Sequence, residues 1–505
     1  MQTSTIITKE KIMGKSNEMD VKVKFGLKSF ITVVAILVAV LIAVGVLTYA
    51  IPAGRYTIYT TDPEKAELPF YEYTTDESLN KQIVIDSYRE LTEEENSSRL
   101  PIYRWIISPF EALLFGSSSA NMLMIIALLL VLGGTFKVLE ESGGLVSLVK
   151  VIMTRLQSKR FIAIWVITAV IMILSAVFGL QEQLLILYPV FAMLCTALNW
   201  SRFTAISFVL IASGVGFTTA ITNPLTIGTA SIAAGVSVTD GMWYRCIIFC
   251  VMYVVTSLFL THLAKRDEKL ATEKFDVQGF VTATEEEHKE DLRKAKMIVI
   301  LFSIALLSVI ITTSIASLRS LAMVFMAVAF IVGTVIIGKL LLGTYKRLGK
   351  CFIKGVKDVL PSIVIIMIAF GITYIAEQGN ILHTIFHYFY NSVTNISPYL
   401  AVLILYVFVL IIEFFIPSAS AKAVLIIPML TLAPIEGISK TVIILTYLFA
   451  DGYTNVLYPT CGTLLVGLGL ADVSFAQWFK KTIVFQLLLF VLSLGFLMLA
   501  VFIGL

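Results

Sequence analysis

Long, nearly uncharged apolar runs recur along the whole chain, and they constrain its fold more than any other feature. The first, Ser29 to Ile51, has 23 residues. Others of spanning length follow at about 120–138, 161–199, 203–236, 242–263, 296–316, 320–338, 361–377, 397–436, 441–470 and 482–504. About 20 apolar residues cross a bilayer as a helix, which satisfies its own backbone hydrogen bonds where no water can. The chain therefore reads as an all-α polytopic membrane protein. Its 505 residues are 58% hydrophobic and 14% charged, against about 25% charged in soluble domains. The net charge of +4 is too small for a nucleic-acid partner; the partner that the composition implies is the lipid bilayer.

The charges between the runs set the expected topology. Residues 1–28 carry Lys9, Lys11, Lys15, Lys22, Lys24 and Lys28, which predicts a cytoplasmic tail. The run 29–51 is too long for a signal-peptide core of about 7–15 residues and reads as the first span. Residues 52–119 form an extracytoplasmic loop, acidic through Glu93, Glu94 and Glu95 among others, with that acidity on a solvated surface. Lys150, Lys159, Arg160, Arg202 and the cluster Lys339 to Lys357 share the cytoplasmic side if 161–199 enters and returns on one face. A cytoplasmic linker, 264–295, divides the chain. Before it lies a first repeat, 120–263, with a hairpin at 161–199 and a broken helix at 203–236. After it come scaffold helices at 296–338, a basic segment at 339–360 lying along the inner interface, and a second repeat, 361–505, with a hairpin at 397–436 and a broken helix at 441–470.

The halves match at nearly one offset. Glu141-Ser-Gly143 recurs as Glu377-Gln-Gly379, 236 residues on, and Pro189 as Pro428, 239 on. Pro224 recurs as Pro459, and Val238…Trp243…Arg245 as Val473…Trp478…Lys480, both 235 on. With Arg160 inside and its counterpart Ser397 outside, the repeat is inverted. Inverted repeats with interrupted helices mark secondary transporters, whose sites lie where the interruptions meet.

Each half supplies two interruptions: a polar hairpin tip (Gly179 to Gln183; Pro417-Ser418-Ala-Ser420-Ala-Lys422) and a broken helix (Thr218 to Pro224; Asp451 to Pro459). Pro224, Pro417 and Pro459 are the structural breaks, because proline removes an amide and opens the helix. Half-helices starting near Leu184, Thr226, Ala423 and Thr460 turn positive ends inward, which suits a carboxylate. The substrate set is Glu182, Gln183, Thr222, Asn223, Ser418, Ser420, Lys422, Thr454 and Asn455. The set for a coupling Na+ or H+ is Glu182, Asp451, Thr219, Asn223 and Asn455. Glu182, Glu413, Lys422 and Asp451 are ionisable groups within spans, each costing at least about 2.5–3.5 kcal/mol unless paired or hydrated. Glu182 reads as a proton carrier, a partner of a substrate amine or a structural partner. Lys422 reads as a counter-charge to a substrate carboxylate or as an ion-pair partner of Glu413 or Asp451. Glu413, off the tip, reads as structural.

The five cysteines, Cys195, Cys246, Cys250, Cys351 and Cys461, are widely spaced and read as buried small hydrophobes. His383 and His387 share a helix face but lack a third ligand, so no metal site is expected. With neither a Cys/His pairing nor an HExxH motif, an enzyme is not expected. Interruptions that pair at the centre, instead of forming a continuous polar lining, argue against a channel.

The stretches GVGFTTAITNPLTIGTASIAAG (215–235), IPSASAKAVLIIPML (416–430) and ADGYTNVLYPTCGTLLVGLGLADVSFAQWFK (450–480) resemble the YfcC-like and anaerobic C4-dicarboxylate carrier family of the ion transporter superfamily. IPAGRY (51–56) and LVLGGTFKVLEESGGL (130–145) fit as well. The chain departs from the family pattern at Lys422, a tip position expected to be uncharged there. The resemblance implies a homodimeric carrier in a bacterial inner membrane, with a fixed scaffold and a transport domain working by an elevator movement. The expected cargo is a small carboxylate-bearing solute, a C4-dicarboxylate or a related organic acid. A basic amino acid, in arginine/ornithine exchange, is the alternative.

Overall fold

The computed structural model describes residues 27–505 apart from 68, 76–83, 85–86, 117–118, 157–158, 271–283, 316–317, 319–320, 394–395, 417–418 and 433–436. Residues 1–26 of the lysine-bearing tail lie outside the described residues, and Lys28 stands in the first turn of the first helix. Helix α1 (Leu27–Ala50) leads into the polar loop, which holds β1 (Gly54–Arg55), β2 (Ile58–Thr60), α2 (Pro63–Ala66), β3 (Tyr71–Tyr73), β4 (Arg89–Glu90), α3 (Ile102–Trp105) and α4 (Ser108–Phe115). β1 pairs antiparallel with β4 and β2 parallel with β3. The membrane part is helical as expected; the only strands among the described residues are these four short ones, in the polar loop, where turn-forming Pro and Gly replace apolar length.

The first half continues with α5 (Ser119–Glu141), α6 (Gly144–Leu156), α7 (Arg160–Phe178), a 3-10 turn (Gln183–Leu187), α8 (Tyr188–Ala197), α9 (Arg202–Thr219), a π-helical turn (Pro224–Gly228), α10 (Thr229–Ala234) and α11 (Met242–Leu270). Then come α12 (Glu285–Ser314) and α13 (Ala322–Leu342). The second half holds α14 (Tyr345–Gln378), α15 (Ile381–Val393), α16 (Pro398–Phe415), α17 (Ala419–Leu432), α18 (Lys440–Thr454), α19 (Gly462–Leu470) and α20 (Phe475–Phe502). Among the described residues nine helical stretches are long and apolar enough to cross a membrane.

Burial sorts these helices into centre and perimeter. In Arg202–Ala234, 94% of the apolar window is buried against protein, against 28% in Met323–Leu342. Every residue of α18 from Val442 to Thr454 is buried. A helix apolar all round belongs in a core, so α9 and α18 form the centre. They touch closely, since Gly452 on α18 lies against Thr218 on α9 with no room for a Cβ. On α7, by contrast, Ile162, Val166, Val170 and Ile173 form an exposed stripe, which suits a lipid-facing surface.

The basic segment 339–360 is not a separate element. Its residues from Tyr345 onward are the first half of α14, one 34-residue helix that carries Pro361 in its interior. A side chain on Gly355 would collide with the Gly133 carbonyl of α5, and this close crossing holds the segment against α5. Cys246 and Cys250, expected to be buried, are exposed on α11.

The loop is docked by the two histidines of α15. The Tyr56 amide donates to His383 Nδ1 at 3.0 Å, and the Tyr56 hydroxyl lies 3.2 Å from His387 Nδ1. Tyr88 stacks on His387 with ring centroids 3.9 Å apart, and its hydroxyl donates to Thr384 at 3.1 Å.

Candidate functional site

Helix α7 ends on Gly179 with φ of 74°, a left-handed turn that glycine adopts without strain. A Cβ there would collide with Asn223 Oδ1, so the first tip rests on the first break. The amides of Thr222 and Asn223 donate to the Ala176 carbonyl at 3.2 and 3.1 Å, and the Thr222 hydroxyl donates to Val177 O at 3.2 Å. The open end of α7 is thus capped by the broken helix, answering the need for partners that every helix end carries. Asn223 Oδ1 accepts from the Leu225 amide at 2.8 Å and starts the π turn.

Arg245, buried in α11, fixes the other side of this break. Its guanidinium donates to Asp240 O at 2.8 Å, to Ile221 O at 3.3 Å and to Val238 O. Its place in the repeated Val238…Trp243…Arg245 block was the sequence signal for it, though the motif alone did not say what it holds.

The two halves join at Gln181 and Asn455. The Asn455 side-chain amide donates to Gln181 Oε1 at 3.0 Å, and Cys461 Sγ lies 3.5 Å from Asn455 Oδ1. The Val456 carbonyl next door accepts from Trp478 Nε1 at 2.9 Å and Gln486 Nε2 at 3.2 Å. Around these breaks Gln181 Nε2, Gln183 Oε1, Asn223 Nδ2, Thr226 Oγ1 and Thr460 Oγ1 are buried without a protein hydrogen-bond partner. Buried polar atoms are nearly always satisfied, so this cluster needs water or a polar ligand. Gln181, Thr226 and Thr460 were absent from the expected site, although all three lie in or beside the polar interruptions.

The half-helices begin within a few residues of the expected positions. The second half of tip one begins as the 3-10 turn at Gln183, and α19 begins at Gly462, beyond Cys461, which gives it no side-chain cap. Glu182 lies beside Thr463 in the first turn of α19. A carboxylate is favoured at that position, so the protein's own Glu182 stands where the sequence reading placed the substrate's.

Among the described residues Lys422 pairs with Glu413 and Asp451 and not with Glu182. Helix α17 starts at Ala419, which puts Lys422 in its first turn and aims it at α16 and α18. Its ammonium pairs with Glu413 and lies 2.8 Å from Asp451 Oδ1, with all three side chains at most 1% exposed. Thr454 donates to Glu413 at 3.3 Å, and Tyr447 donates to Ala419 O at 2.6 Å, tying α17 to α18. The ion-pair alternative for Lys422 is therefore the one the structure shows, with both acids at once.

The remaining expected residues divide. Thr219 bonds Gly216 O within α9, at 2.9 Å, and Thr222 is exposed beside the first break. Pro224 opens the π turn and Pro459 lies in the irregular 455–461 linker. Pro417 and Ser418 lie outside the described residues, and of Ser420 only the backbone, in α17, is described.

Residues 30–502 match the family model of the C4-dicarboxylate anaerobic carrier, DcuC. The "Putative basic amino acid antiporter YfcC" of Escherichia coli is 22% identical over 471 residues, covering 88% of this chain and 91% of that protein. An "Uncharacterized protein" of Haemophilus influenzae is 23% identical over 503 residues, covering 92% and 95%. Among solved structures, the YdaH transporter of Alcanivorax borkumensis aligns with a TM-score of 0.42 at 16% identity over 94% of this chain and 98% of that one. MtrF of Neisseria gonorrhoeae aligns at 0.44 and 14%, over 94% and 95%. A family match from the first span to the end of α20, on a chain of membrane-length helices, leaves one conclusion: the chain belongs to the C4-dicarboxylate anaerobic carrier family and is a multi-pass membrane transporter.

Proposed function

We propose that the protein is a secondary carrier of a small carboxylate-bearing solute, a C4-dicarboxylate or related organic acid, ion-coupled or exchanging. The observation that carries this reading is the buried, unpartnered polar cluster at the breaks, joined across the halves by Gln181 and Asn455. The solute carboxylate sits among Thr222, Asn223, Ser418, Ser420, Thr454 and Asn455, with Gln183 and Glu182 at its edge. The coupling ion, Na+ or H+, is held by some of Glu182, Thr219, Asn223, Asp451 and Asn455.

Supporting an inverted repeat, each half runs helix, interruption, helix twice over: α7 to α8 and α9 to α10, then α16 to α17 and α18 to α19. On this reading α7–α8 and α16–α17 are re-entrant hairpins in a mobile transport domain, α12–α13 belong to the scaffold, and a homodimer works as an elevator. The N-terminus is cytoplasmic and the membrane is the bacterial inner membrane.

A second reading, a basic amino acid antiporter, is favoured by Glu182: among the described residues no basic side chain pairs with it, so a substrate ammonium or guanidinium has a partner there. The name of the Escherichia coli relative points the same way. Counterflow of succinate and of arginine in proteoliposomes separates the two, with Glu182→Gln as the variant. Loss of arginine exchange with succinate uptake intact selects the amino-acid reading. Full activity in an Asn223→Ala/Asn455→Ala double variant sinks the proposed site under either.

A further inference from the structure

Glu413, Lys422 and Asp451 form a closed group of charges on three helices, α16, α17 and α18, buried from solvent and lipid. The charges do not balance. Two carboxylates face one ammonium, and among the described residues no other ion pair reaches either acid. A net negative charge sealed in a membrane protein is costly. The titratable neighbours are Tyr406 on α16, Tyr447 on α18, and Tyr458 and Cys461 in the 455–461 linker. None of these brings a positive charge. Glu413 Oε1 and Asp451 Oδ2 have no hydrogen-bond partner.

We infer that Glu413 and Asp451, on either side of Lys422, hold one exchangeable proton between them, and that this proton is the ion the carrier couples to. A proton from water on one side of the membrane adds to an oxygen of one carboxylate, forming a single O–H bond and leaving the group neutral. Release to water on the other side breaks that bond alone. A proton needs only one oxygen lone pair, whereas a metal ion needs a shell of oxygens, and here the ammonium already fills the space between the acids.

The group is wired to the proposed solute site. Thr454 Oγ1 bonds both Glu413 and the Asp451 carbonyl, at 3.3 and 3.1 Å, and the Asn455 amide donates to that carbonyl at 3.4 Å. Asn455 in turn holds Gln181. The coupling half of the inference rests on the carrier reading above; the proton site does not.

The test is infrared difference spectroscopy of the full chain in nanodiscs at neutral pH, without solute, in a Glu182→Gln background that removes the other acid of the site. The expected result is one protonated-carboxyl C=O band, lost in both Glu413→Gln and Asp451→Asn, since each leaves one acid neutralised by Lys422. Lys422→Met is expected to double the band. A band that survives either acid-to-amide substitution, or its absence before substitution, overturns the inference. Because no solute is present, that failure leaves the carrier reading standing, and absence of solute counterflow leaves the proton site standing.

Discussion

Asn455 donates its side-chain amide to Gln181 at 3.0 Å, a bond between the first hairpin tip and the second broken helix across 274 residues of sequence. Asn455→Ala leaves Gln181 buried with both ends of its amide unpaired, at about 1–3 kcal/mol for the stranded acceptor. A lower melting temperature in detergent is expected, together with at least a roughly tenfold drop in solute exchange, the equivalent of about 1.4 kcal/mol. Unchanged stability and exchange would show the bond to be incidental.

Two glycines of α14 should respond in opposite ways. Gly355 has no space for a side chain against Gly133, whereas nothing lies within 4 Å of a Cβ on Gly349. Gly355→Leu is expected to destabilise by about 1–3 kcal/mol or more through overpacking. Gly349→Ala is expected to stabilise by roughly 0.4–1 kcal/mol, because alanine restricts the unfolded chain. Thermal unfolding of the pair checks both signs.

Arg245 should behave as a clamp whose loss is felt at the break. Arg245→Ala strands the carbonyls of Ile221, Val238 and Asp240, at about 1–3 kcal/mol for a buried acceptor without a partner. Arg245→Lys keeps the charge but not the planar fork and is expected to recover only part of the loss. Hydrogen exchange across 220–241 should rise in both, more in the alanine variant.

Acid should loosen the docked loop. His383 lies in α15, outside the spanning helices; burial, helped by nearby Arg55, lowers its pKa from 6.5 to about 4. The undocked state therefore binds the proton more readily. Docking is fully stable above about pH 6.5 and weakens as pH falls toward 4, because stability rises with pH wherever the open state holds more protons. Protonation also removes the Nδ1 lone pair that accepts the Tyr56 amide. Hydrogen exchange of that amide, corrected for its intrinsic rate, should speed up between pH 6.5 and 4.5. A His383→Gln variant should lack this dependence.

The sequence made the helix breaks legible and left their partners obscure. Thr222-Asn223-Pro224 and Asn455…Pro459 advertise an interruption because proline and asparagine act locally, and the structure is irregular at both. Lys422 was harder. Its face depends on where α17 starts and on how three helices are phased in space, so neither Glu413 nor Asp451 could be chosen from spacing. The continuous α14 went unread for a similar reason. Pro361 and the preceding basic stretch look like a boundary, but the contact between Gly133 and Gly355 is tertiary and overrides that local signal. Gln181 lay in plain view in the first tip, yet its partner belongs to the other half.

The contact between Gly452 and Thr218 has a mechanical consequence. The Thr218 backbone and its Oγ1 lie where a Cβ on Gly452 would stand, so the seam has almost no slack, since densely packed interiors move between discrete arrangements and do not stretch. The two most deeply buried helices are locked shoulder to shoulder at the level of both breaks. A motion that separated α9 from α18 would have to open this seam first.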